Sequence, residues 1–393
     1  MTMRGVEQSV TVSDSGARHR VRVPRARLGQ FTFVMATGII STAMHNAETL
    51  GTGGYATVAQ VISVVLFALA VVGYIALTVF TVVGWFTGAG ISTELMAEVR
   101  ADGFTVLAFS AGSGVLAARS LAGGLDWAAL TFAYIALGSW VILGYVAVIA
   151  AFFSATHSRA QSPSATTPSA TTPSATTPLP WTHVNGTWFL MVVGTQAVAV
   201  AFGALAAATH VNWYAEVAAL WWGIGVLILI VMAVLVVARL IIVGLSHDDE
   251  VAPYWVLMGA GAISVLAGAE VMGTGSAQRL VTHDVVGTLC LMTWIFGTWL
   301  IPLLIVLMIW HARRPGTNSG FRTALWSLVF PIGMYGVASR QLGIAWHVPW
   351  LKDLGTWEAW VALAVWVVVF AGMTRWWWRW VRARRSGVSA PAR

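Results

Sequence analysis

The chain has 393 residues, 58% of them hydrophobic and only 9% charged, whereas a soluble domain carries about 25% charged residues. Most of its surface is therefore not built to face water, and the net charge of +7, gathered in blocks at the two ends, reads as membrane topology rather than a nucleic-acid surface. The single cysteine, Cys290, excludes an internal disulfide and any Cys-based zinc or iron–sulfur site.

Residues 1–27 are polar and Arg-rich (Arg4, Arg18, Arg20, Arg22, Arg25, Arg27) and are expected to be a disordered cytoplasmic tail. Apolar runs long enough to cross a bilayer then follow one another, and we predict spans over 30–49, 56–86, 102–120, 126–154, 183–209, 213–243, 253–273, 284–311, 321–342 and 355–381. The transmembrane domain is thus placed at 28–385. It is interrupted at 158–180, where PSATTPSATTPSATTPLP cannot bury enough apolar surface to fold and should be an extended cytoplasmic loop. Residues 386–393 form a second cytoplasmic tail.

Ten spans put both termini on one side. With that side cytoplasmic, the inner segments hold 18 Lys and Arg residues and the outer ones four: Arg119, Arg279, Arg340 and Lys352. This asymmetry agrees with the count of ten and places the protein in the inner (plasma) membrane with cytoplasmic termini. Trp376–Trp378 reads as an interface anchor.

The even-numbered spans are dominated by Val, Leu, Ile and Ala and look lipid-facing. The odd-numbered ones are richer in Gly, Ser, Thr and Met, and they align on a glycine: Gly38, Gly112, Gly194, Gly261 and Gly333. Three residues earlier stand Met35, Phe109, Met191, Met258 and Phe330, all large and apolar. The spacing makes the repeat a helical hairpin. Five small-residue helices about an axis would leave a lumen, with these glycines and Pro331 lining or bending it and the five bulky side chains plugging it. The competing reading is that small residues only let helices pack closely.

Donors for an anion on the odd spans are Thr37, Ser41, Ser110, Ser113, Thr195, Gln196 and Ser264, although hydroxyls in membrane helices often bond their own backbone. Arg119, Arg279 and Arg340 would ring the outer mouth. Glu270 and His45, near the outer ends of the seventh and first spans, are candidates for proton coupling. His247 to Glu250 is read as a solvated charge run. No P-loop, His-Glu-x-x-His or Gly-x-Ser-x-Gly motif occurs, so neither an enzyme, a cofactor nor a metal is implied.

The chain resembles the tellurite-resistance/dicarboxylate transporter family, which takes in malate permeases, sulfite exporters and plant slow anion channels. The resemblance runs from about Leu28 to Arg382 and is clearest in FTFVMATGIIS (31–41), VNGTWFLMVVGTQAVAV (184–200), WIFGTWLIPLLIVLMIWH (294–311) and LWSLVFPIGMYGVAS (325–339). It implies an all-α membrane protein of five helical hairpins, with the odd helices around a central pore, assembled as a homotrimer. It also implies that Phe330, followed by Pro331, occludes the pore, and that the solute is a small anion of the C4-dicarboxylate (malate) or sulfite type. The alternative reading is efflux of toxic oxyanions such as tellurite or of other small toxic compounds.

Overall fold

A computed structural model describes residues 26–48, 54–160, 184–245, 249–275, 280–314 and 321–385. The low-complexity repeat, both outermost tails and Arg279 lie outside the described residues.

Eleven α-helices follow in order: α1 (Thr32–Glu48), α2 (Gly54–Thr87), α3 (Ile91–Asp102), α4 (Ala108–Ala122), α5 (Asp126–Ala160), α6 (Leu190–Thr209), α7 (Asn212–Ile242), α8 (Trp255–Met272), α9 (His283–Ala312), α10 (Trp326–Ala345) and α11 (Pro349–Arg385). Ten coincide with the predicted spans and pair as five antiparallel hairpins. The extra one, α3, fell in a predicted loop. Its sequence ISTELMAEVRAD is too polar to span a bilayer, and only Val99 is well buried. The Glu98 carboxylate accepts the Leu28 N–H at 2.9 Å, tying α3 to the start of the first hairpin.

Contacts between elements close a ring. Helix α1 packs on α4, α4 on α6, α6 on α8, α8 on α10, and α10 returns to α1. Helices α2, α5, α7, α9 and α11 lie outside this ring. In the most apolar stretches of α4, α6 and α8, 78%, 94% and 89% of residues are buried, against 17–33% in the outer five. The lipid therefore meets the outer helices, through residues such as Val72, Leu227 and Val368. Among the described residues, eight helices are long and apolar enough to cross a membrane. The other two ring members, α1 and α10, are shorter or more polar, which a helix shielded from lipid tolerates.

Each ring helix starts with a short 3-10 turn: Leu28–Phe31, Gly103–Leu107, Gly186–Phe189, Ala252–Tyr254 and Thr323–Leu325. All five therefore begin on one face of the molecule, here called the near face, and end on the far face. Of the run from His247 to Glu250, His247 and Asp248 lie outside the described residues, and Asp249 and Glu250 are not simply solvated. Arg239, 3% exposed, donates to both Asp249 oxygens at 3.0 and 2.9 Å and to the Tyr254 hydroxyl and Gly244 carbonyl, each at 3.0 Å. Glu250 pairs with Arg322 at 3.6 Å.

Candidate functional site: an apolar axis through the ring

A cavity lies where the five ring helices meet. It is lined by Ile39 and Thr42 of α1, Gly114, Val115 and Ala118 of α4, Ala197 and Val200 of α6, Ile263 and Leu266 of α8, and Met334 of α10. Its empty space is about 290 Å³, the open side included. Thr42 is the one polar residue in this wall, and its hydroxyl is turned back to the Gly38 carbonyl at 3.2 Å.

Because side chains four and seven residues apart share a helix face, the wall can be followed along the axis. The reference layer is Ile39, Val115, Ala197, Ile263 and Met334, all buried. Four residues earlier, towards the near face, come Met35, Ala111, Val193, Gly259 and Phe330, again all buried. Seven residues later, towards the far face, come Asn46, Ala122, Ala204, Glu270 and Gln341, none of them buried. Along this face burial is thus complete one turn below the cavity and incomplete at the far end.

The closing layer differs from the glycine alignment. Met35 and Phe330 belong to it, and neither has any exposed surface. Phe109 does not. It stacks on Tyr74 of α2 with centroids 5.5 Å apart and meets Phe31 edge-on at 4.9 Å, six residues before Val115 and so roughly 120° round α4 from the wall. Met258 turns to α9, with its Cγ 3.9 Å from where a Cβ on Gly297 would lie. Met191 precedes Ala197 by six residues, which at about 100° per residue places it roughly 120° from that wall position. In their places stand Ala111, Val193 and Gly259. The alignment slips by two residues on α4 and α6 and by one on α8, because it treats every glycine as equivalent.

The glycines serve packing between ring helices. A Cβ on Gly38 would lie 2.8 Å from Val115 Cγ1, and one on Gly333 would lie 2.5 Å from Ile40 Cδ1. Gly112 faces Val34 of α1, Gly194 faces Leu107, and Gly261 faces Thr293 of α9. The closest backbone approach in the wall itself is at Gly114, where a Cβ would stand 2.6 Å from the Ala197 carbonyl oxygen. Gly259 likewise admits the Pro331 ring, whose Cγ is 2.8 Å from the Cβ position. Only Gly fits at these two points.

The hydroxyls and amides proposed as anion contacts are turned outward as well. Tyr74 of α2 bonds Ser113 of α4 at 3.0 Å. Trp140 of α5 donates to Thr195 of α6 at 2.9 Å, and Trp222 of α7 to the Ser264 carbonyl of α8 at 3.1 Å. Trp294 of α9 donates to Ser339 of α10 at 2.8 Å. Trp366 of α11 donates to Thr37 of α1 at 3.1 Å. Each outer helix thus bonds the ring helix of the next hairpin, and the fifth bond returns to the first hairpin. Ser110 bonds Ser139 of α5 at 2.8 Å. The Gln196 amide donates to Ser264 Oγ at 3.1 Å and to the Trp222 carbonyl at 3.3 Å.

The charged candidates divide. Arg119, 4% exposed, donates to Ser41 Oγ at 2.9 Å and Ser63 Oγ at 2.8 Å, with its guanidinium 5.2 Å above the Phe67 ring. It braces α4 against α1 and α2 and does not face the axis. Arg340 leaves α10 beside Gly355 of α11, where a Cβ would stand 2.9 Å from the Arg340 Cβ. His45 Nδ1 lies 3.4 Å from Glu48 Oε2 at the far end of α1. Glu270 alone shares the face of the wall residues.

Residues 26–374 match the family model described as voltage-dependent anion channel. Among curated proteins, an uncharacterized membrane protein of Mycobacterium tuberculosis, found in strains CDC 1551/Oshkosh and H37Rv, is 45% identical to this chain over 140 residues. That match spans 35% of this chain and 71% of the relative.

Proposed function

Since the chain belongs to the voltage-dependent anion channel family, we propose that it conducts small anions across a membrane along the axis of its five-helix ring. The observation that carries this reading is the cavity to which all five ring helices contribute, stopped one turn below by Met35 and Phe330. Around Phe330 the layer offers only Ala111, Val193 and Gly259, so one aromatic ring and one thioether side chain supply nearly all its bulk. An apolar constriction of this kind excludes water and ions until a side chain swings away. The wall holds no fixed cation, so an anion is not trapped on its way. The five ring helices point their N-termini at the near end of the axis, and the opposing C-termini of the outer helices lie farther from it, which favours an anion at that mouth.

The solute is a small anion of the C4-dicarboxylate (malate) or sulfite type, as the resemblance implies. The near face is cytoplasmic, in line with the excess of Arg in the segments assigned to that side, and the protein works as a homotrimer in the plasma membrane. The test is anion flux into proteoliposomes, with malate, sulfite and chloride compared for the wild type and Phe330→Ala. The expected result is flux of at least one anion, increased in the variant. If neither protein carries any of the three, the reading fails.

A further inference from the structure

The far mouth of the axis is a ring of five residues, each seven positions beyond a cavity-wall residue: Asn46, Ala122, Ala204, Glu270 and Gln341. Glu270 is its one ionisable member. It follows Ile263 and Leu266 at helical spacing on α8, and both of those line the cavity. The helix behind it is pressed close: a Cβ on Gly203 of α6 would stand 2.7 Å from the Glu270 Cβ, with the Ala218 Cβ of α7 3.7 Å away from the same point. Gly203, having no side chain, makes room for the Glu270 stem against α6.

The Glu270 carboxyl makes no hydrogen bond or ion pair among the described residues. The elements packed on α8 bring few ionisable groups. Helix α6 carries no ionisable side chain. Helix α7 brings Tyr214 and Glu216 at this end, and α9 brings His283, Asp284 and Cys290, whose sulfur packs against Gly268. Helix α10 brings Arg340, directed to α11. Tyr254 and the 3-10 turn at 186–189 lie at the opposite end of the bundle. An acid that faces a membrane path without a counter-charge among the described residues is costly to keep and marks a functional position.

We propose that Glu270 is the proton-binding site of the permeation path, and that an anion crosses the far mouth only past its neutral carboxyl. This rests on the axial anion path proposed above and adds its co-substrate, the proton. A carboxylate at the rim of a narrow, weakly solvated path opposes an anion a few ångströms away by on the order of tenfold or more. Protonation removes that charge and leaves a hydroxyl that can donate to the passing anion. The neighbouring Asn46 and Gln341 remain polar but uncharged in either state.

The experiment uses chloride, the anion of a strong acid, so that pH changes the protein and not the solute. Flux is measured in the Phe330→Ala background, with the pH varied on the far face alone. With Glu270 present, flux should rise as that pH falls. In Glu270→Gln it should be high and independent of far-side pH, and Glu270→Asp should restore the dependence. If Phe330→Ala conducts and Glu270→Gln keeps the same dependence on far-side pH, the proposal is overturned while the axial path stands. If Phe330→Ala conducts nothing, the axial path itself fails.

Discussion

Trp366, near the middle of the last helix, donates its indole N–H to the hydroxyl of Thr37 in the first, 329 residues away along the chain. That bond completes a cycle in which every outer helix holds the ring helix of the following hairpin. The same bond ties the hydroxyl oxygen of Thr37, a candidate anion contact, to the helix behind it. The polar groups of the ring are spent on the outer layer, and the axis is left apolar.

Removing one link should cost little and leave the path intact. Trp366→Phe keeps an aromatic ring but leaves the Thr37 hydroxyl with only its own backbone to bond. A loss of about 0.5–1.5 kcal/mol is expected, with a fall in Tm of roughly 1–3 °C in detergent and an unchanged order of anion preference. A changed preference would place Thr37 on the path.

The closing layer can be told from the glycine alignment by comparing two truncations. Phe330→Ala should raise anion flux by roughly tenfold or more. Met258→Ala, which empties space against α9, should leave flux at the wild-type level and lower stability by about 2–4 kcal/mol. Equal gains of flux from both variants would return Met258 to the gate.

Bulk at this layer should be interchangeable between helices. Ala111 brings only a methyl group to the layer of Phe330, so Ala111→Phe in the Phe330→Ala background should bring flux back towards the wild-type level. Thermal unfolding of the double variant checks that the loss is not one of folding. Persistent high flux in a folded double variant would mean that α4 presents another face to the axis.

Arg119 should behave as a brace. Arg119→Met removes the donors to Ser41 and Ser63 and leaves two buried hydroxyls to each other, so a loss of about 1–3 kcal/mol in stability is expected. Affinity for the transported anion, read from the concentration dependence of flux, should stay within about twofold. A drop of tenfold or more would make Arg119 a contact on the path.

The lock at the near face should be the more sensitive site. Asp249→Asn leaves the guanidinium of Arg239 buried without its carboxylate, for a loss of about 3 kcal/mol. Protease cleavage between α7 and α8 should rise with it, since Arg239 holds Gly244 and Asp249 of that connection. Unchanged stability and cleavage would show that the Tyr254 and Gly244 contacts suffice.

Hydropathy alone determined that this is a multi-span helical protein, because lipid demands about 20 apolar residues per helix and leaves that demand written in the chain. The contrast between Val- and Leu-rich spans and Gly-, Ser- and Thr-rich ones determined which helices lie inside. The shared layer of Met35 and Phe330 was legible, since their glycines sit one turn on at Gly38 and Gly333. Which way the remaining ring residues point was not legible. A glycine in a membrane helix serves a lumen or a neighbour equally well, and only the packed ring shows that Gly112, Gly194 and Gly261 face other helices while Ala111, Val193 and Gly259 share the layer of Phe330. Helix α3 escaped notice because an interfacial helix lacks the apolar length that marks a span. The outward turn of Thr37, Ser113 and Thr195 needed partners 39 to 329 residues distant. Hydrogen bonds of such separation leave no local pattern, and the tertiary structure decided them because a buried donor in lipid must find an acceptor wherever the fold brings one.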